Sequence, residues 1–153
     1  MVEFALVMPL LALLLFGSLK MGVGMNAKID STHLTAEGAR YAAVNQNPGL
    51  TDPDISPKTL QSYIRSRAGT AFLKEGATVC ITFPTNPETG TSGKVGDPVT
   101  VTVGRLLQIL PKLSTLKAAD GTPIPGPGDL TIASETTMRL EALPTKIPAG
   151  CLT

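Results

Sequence analysis

Sixteen consecutive residues, Phe4 to Leu19 (FALVMPLLALLLFGSL), carry no charge, and an acid, Glu3, stands directly before them. No other feature restricts the chain so much. Helical residues rise 1.5 Å each, so a bilayer core asks for about 20 apolar residues. Lys20 interrupts the run and Met21–Met25 (MGVGM) resumes it. Phe4–Met25 therefore spans if Lys20 reaches interfacial water or an anionic partner.

Ordinary explanations of such a run fit unevenly. A secretory signal peptide has a basic region before the apolar stretch, whereas Met1-Val2-Glu3 is acidic. A lipoprotein signal needs a cysteine soon after it, and the first is Cys80. A simple one-pass anchor satisfies the length. None of the three explains an acid placed against the apolar run.

Beyond Met25 the polarity changes while helical character continues. Asn26–Val44 (NAKIDSTHLTAEGARYAAV) has no proline and is rich in alanine. One helix over Val2–Val44 is expected, about 65 Å long. Small residues gather at Ala36, Gly38, Ala39, Ala42 and Ala43, at spacings that let another backbone approach closely. They suit packing on the chain's own head as well as packing on another subunit. Asn45-Gln-Asn-Pro-Gly should end the helix.

Twelve of the 13 prolines follow this point, so residues 47–153 should form a head of short elements after an N-terminal helix at 1–46. Ser56-Pro57-Lys58 reads as a helix start. Lys58–Lys74 then places Leu60, Ile64, Ala68, Ala71 and Phe72 on one side of a helix. Ala77–Phe83 (ATVCITF) reads as a strand, and Pro84–Gly93 as a loop. Pro98–Gly104 (PVTVTVG) alternates as a half-exposed strand does. Leu130–Leu143 reads as a third strand with Leu130, Ile132, Met138 and Leu140 inward, and Asp120–Asp129 as a loop. The fold class is α+β: a long hydrophobic helix, then a small head with a short helix and an antiparallel sheet.

Cys80 and Cys151 are the two cysteines. A head carried across a membrane is where a disulfide persists, and closing a loop of about 70 residues stabilises by about 4 kcal/mol in the chain-entropy model. Two buried thiols are the alternative. The bridge would also hold a tail, Pro148–Thr153, that otherwise reads as frayed.

Chemistry is sparse. With 13 Lys+Arg against 12 Asp+Glu and 16% charged residues, the chain lacks the basic footprint of a nucleic-acid binder. One histidine and two cysteines are few ligands for structural zinc. A Ser-His-Asp set would need His33, within the expected helix. Gly93-Lys94 fails as a phosphate loop, since Glu88 and Val95 stand where Gly and Ser or Thr are required. The reading has no catalytic residue and no cofactor; a structural or interaction role survives.

Val2-Glu3-Phe4-Ala5-Leu6-Val7-Met8-Pro9-Leu10-Leu11, followed by an apolar run with Gly17, resembles the opening of TadE-like proteins, pilin-like proteins of the tight-adherence (Tad) pilus. Thr32–Ala43, Val99–Val103 and Leu130–Glu141 resemble later parts of that family. The resemblance implies a leader cut by a prepilin peptidase, storage in the cytoplasmic membrane, and extraction by inner-membrane machinery into an extracellular filament. Its partners would be further copies of the chain or other pilins. The resemblance assigns assembly roles to Glu3, Phe4, Pro9 and Gly17. Glu3 would pair with a subunit's N-terminal amine, because an acid buried alone costs several kcal/mol. Pro9 frees the Ala5 carbonyl, allowing a bend or local unwinding. Lys20 departs from the family, which more often has an acidic or apolar residue there; as a further assembly residue it is expected to meet Glu3 of an axially staggered neighbour, the two lying about 25 Å apart along a helix. A minor pseudopilin that primes or tips another filament, and a monomeric membrane-anchored binding domain, are the alternatives.

Overall fold

In the computed structural model, which describes residues 2–108 and 129–152, helix α1 runs from Val2 to Ala43. Its 42 residues make it about 63 Å long. The helix continues through Pro9, so the missing amide there produces no unwinding. It ends as the sequence suggests. Asn45 takes a left-handed conformation (φ 53°), its N–H bonds to the Ala42 carbonyl at 3.2 Å, and the Gln46 N–H reaches the Tyr41 carbonyl at 2.9 Å. These are the paired bonds of a Schellman motif, with Asn in the usual place of Gly.

A 3₁₀ turn at Pro48–Leu50 leads to α2 (Leu60–Ser66) and α3 (Ala71–Gly76). The single helix expected over Lys58–Lys74 is thus two. Thr59, not Ser56, caps α2, its hydroxyl accepting from the Ser62 N–H at 3.2 Å. The break lies at Gly69-Thr70, where Asp30 of α1 intervenes. Its carboxylate accepts the Gly69 N–H (3.2 Å), the Thr70 N–H (2.8 Å) and the Thr70 hydroxyl (2.8 Å). A carboxylate from a distant helix has replaced the intrahelical partners of those amides. Leu60, Ile64 and Ala68 are buried as expected, Phe72 is half-buried, and Ala71 is exposed.

The sheet comprises β1 (Thr78–Thr82), β2 (Pro98–Gln108), β3 (Asp129–Arg139) and β4 (Gly150–Leu152), antiparallel in the order β3-β2-β1-β4. The tail expected to be held by a disulfide supplies β4. β2 extends four residues past the expected Gly104. Of the four inward positions expected in or beside β3, Ile132 and Leu140 are buried and Met138 is half-buried. Leu130 is 41% exposed, near the sheet's end against Gly24. Of the expected loop Asp120–Asp129, residues 120–128 lie outside the described part of the chain, and Asp129 begins β3.

α1 and α2 cover one sheet face. Val79, Ile81, Val99, Val101 and Val103 are wholly buried against Leu34, Ala39, Ala42, Leu60 and Ile64. Each Val or Ile side chain so buried contributes about 1.5–3 kcal/mol. A second, smaller cluster joins Ala27 to Leu107 and Ile132. Between the clusters, along both α1 and β3, lies a belt of hydroxyls: Ser31 with Ser134 at 2.8 Å and Thr136 donating to Thr35 at 3.0 Å. Ser31, Thr35 and Ser134 are buried, and each has a partner, as a buried hydroxyl requires. Head and spine are therefore one folded unit from Gly24 upward.

Candidate functional site: the free arm of α1

Below Gly24 the helix has no cover. Phe4, Val7, Met8, Leu10, Leu11, Leu13, Leu14, Leu15, Phe16 and Leu19 are between 52% and 72% exposed. An added Cβ at Gly17 or Gly22 would meet nothing within 4 Å. Contact with the head begins at Gly24, where Leu107 and Leu130 come within 3.5 and 3.7 Å of that position. The result is a continuous apolar arm of some twenty residues. An apolar surface this large marks an interaction or membrane site. α1 is long and apolar enough to cross a membrane.

The expected assembly residues all lie on this arm. Phe4 is 72% exposed, and Pro9, Gly17 and Lys20 are exposed as well. Glu3 lies in α1, and its side chain is outside those described. Lys20 contrasts with Lys28, whose ammonium donates to the Ala133 carbonyl. Among the described residues the one ion pair is Arg139–Glu88, at 4.0 Å on the surface.

The small residues of the upper helix face inward. Gly38, Ala39, Ala42 and Ala43 are buried against the chain's own head, and Ala36 is half-buried. A Cβ on Gly38 would sit 2.6 Å from Ile64 Cδ1 and 3.3 Å from Val101 Cγ1, so glycine sets how closely α1 approaches α2 and β2. A groove of about 740 Å³ runs beside α1, its walls including His33, Ala36, Glu37, Arg40, Met138 and Glu141. His33 is exposed there.

Cys80 and Cys151 form a disulfide between directly opposed residues of β1 and β4. It tethers the terminal strand, assisted by Gln61, which donates to the Pro148 and Gly150 carbonyls.

Among the described residues, Tyr63 and Asp97 of the head have displaced pKa values. Burial raises that of Tyr63, which packs edge-on against Tyr41 with ring centroids 5.7 Å apart. Burial also acts to raise Asp97, yet its carboxyl is held below the usual value. Donors from the Lys94 N–H, Thr91, Asn86 and Thr89 outweigh the loss of water. Asp97 organises the Pro84–Gly96 loop, a role that no local motif reveals. Among the described residues no three His, Cys, Asp or Glu side chains gather as a metal site would require.

Residues 1–40 match the family model described as TadE-like protein. Over this segment the chain is similar to TadE-like proteins. The match covers the whole arm and most of α1's seat on the head, and stops before the strands. No curated protein and no solved structure matches the chain. The likeness to the TadE-like family therefore takes in the bare arm and continues onto the part of α1 that packs on the head.

Proposed function

We propose that this chain is a structural subunit of an extracellular Tad-type pilus, polymerising through α1 for surface attachment. The observation that carries the reading is the bare apolar arm lying within the TadE-like segment. Ten large apolar side chains stand in the open, and burying each is worth about 1.5–3 kcal/mol. A bilayer buries them before assembly, and a bundle of neighbouring arms buries them afterwards. Residues 1–46 serve as the membrane and filament-core helix, and 47–153 as the head displayed outside. Prepilin peptidase, the inner-membrane assembly machinery and other pilins of the system are the partners. The cytoplasmic membrane holds the subunit first and the cell surface holds the filament. The chain does no catalysis and needs no cofactor.

Glu3, Phe4, Pro9 and Gly17 act in assembly: Glu3 as the charge that must find a partner, Phe4 as apolar filling, Pro9 and Gly17 as sites of close approach or adjustment. A Glu3→Ala variant tests this in producing cells. Membrane-inserted subunit is expected at the normal level, with sheared filaments lost. Normal filament yield from Glu3→Ala would remove Glu3 from assembly.

A further inference from the structure

Three charges on α1 are evenly spaced: Glu3, Lys20 and Glu37 lie seventeen residues apart in turn, with the signs minus, plus, minus. Along a helix each step is about 25 Å. Lys20 lies on the bare arm, exposed and without an ion-pair partner among the described residues. Its own helix cannot supply one, because both neighbouring acids of this series are about 25 Å away. Asp30, the other acid of α1, is already held by Gly69 and Thr70. Glu37 is half-buried in the groove wall, likewise without an ion-pair partner. The groove's other charged residues are Arg40, Glu141 and His33, so with His33 neutral it carries one excess negative charge.

We infer that a second and a third copy of this chain supply the missing partners, with neighbouring copies staggered by about 25 Å along the helix axis. One such shift brings Lys20 of a subunit level with Glu37 of the copy on one side and with Glu3 of the copy on the other. The arm of one subunit then lies along the groove of the next. Seventeen residues amount to about 4.7 turns, so the three charges point in different directions and engage different neighbours. A single displacement gives Lys20 and Glu37 their partners and brings Glu3 level with a lysine, whereas other shifts leave a lysine or an acid desolvated alone, which is strongly unfavourable. The inference rests on the filament reading and adds its register.

Cysteine cross-linking in filaments from producing cells tests it. The native cysteines are bonded to each other, so a Phe16→Cys, His33→Cys chain, whose exposed positions are also seventeen residues apart, keeps all three charges and carries two new free thiols. Oxidised filaments of this variant should dissolve in detergent as a ladder of covalent multimers. A Phe16→Cys, Met25→Cys control should show no ladder. Lys20→Glu should cut filament yield at least tenfold while leaving membrane-inserted subunit unchanged, and adding Glu37→Lys should restore at least half the loss. Filaments at the wild-type yield from Lys20→Glu would overturn the inference. So would intact filaments without a ladder, or anionic lipid bound in a Lys20-dependent way in place of the carboxylates. If the wild-type chain forms no filaments at all, the filament reading falls first and takes the register with it.

Discussion

Asp97 shows how one buried side chain fixes a loop. Its carboxylate gathers the Lys94 N–H at 3.0 Å, Thr91 at 2.9 Å and Asn86 at 3.2 Å, which closes the loop back onto β2. Its pKa in the folded protein is lowered, so the folded state binds the proton less readily than the unfolded chain. The stabilisation is complete above the unfolded value of about 4 and is lost as pH falls through the lower folded value. Asp97→Asn should therefore melt below the wild type at neutral pH, and the gap should narrow below about pH 4. Thermal unfolding of the full chain in detergent, scanned from neutral to acid pH, measures this. A gap independent of pH would mean that Asp97 acts by shape and not by charge. Gly38 makes a complementary point, since it matters for what it lacks: any side chain there pushes into Ile64.

Among the elements, Asp30 and the disulfide are the fastenings whose loss can be measured. Asp30 fastens the Gly69-Thr70 turn before α3 from another helix, and removing a charged hydrogen-bond acceptor costs about 1.5–3 kcal/mol. Asp30→Ala should lose that much stability and should speed amide exchange at Gly69 and Thr70 more than at Val101 in the sheet. Equal protection at all three sites would deny the clamp. The Cys80–Cys151 bridge spans 71 residues, and replacing both cysteines by alanine should cost about 2–5 kcal/mol in denaturant unfolding. A loss under about 1 kcal/mol would show that strand pairing holds β4 unaided. These fastenings also mark where the sequence could be read and where it could not. The long helix, its Asn45 stop and strands β1 and β2 follow from local pattern, because apolar periodicity and turn residues act over a few positions. The split of Lys58–Lys74 does not, because its cause lies 39 residues away in Asp30. β4 escaped notice because three residues carry no period, and its order comes from a bridge and a neighbouring strand. The hydroxyl belt was equally hidden: Ser31 and Thr35 read as ordinary helix residues until Ser134 and Thr136 are brought beside them. At the arm, the apolar run and its flanking acid were plain in the sequence. The inward use of Gly38, Ala39 and Ala42 was settled only by the fold, which spent them on its own sheet.

Taken as a whole, the molecule divides its apolar surface in two. The upper half of α1 is consumed by the head, and the lower half is left bare over about twenty residues. A folded domain that wanted only water would not retain such a surface. The TadE-like match includes this bare stretch and stops before the loop and the disulfide, which is why the reading turns on the arm. The central claim is that neighbouring arms bury one another in a filament. Electron microscopy with helical reconstruction of filaments sheared from producing cells, with mass spectrometry of the same material, tests it most directly. The account predicts filaments built mainly of this chain, with Phe4–Leu19 of every copy packed along the axis and the heads outside. Finding the chain only in membranes, or as a trace component of a filament made from another subunit, would contradict it.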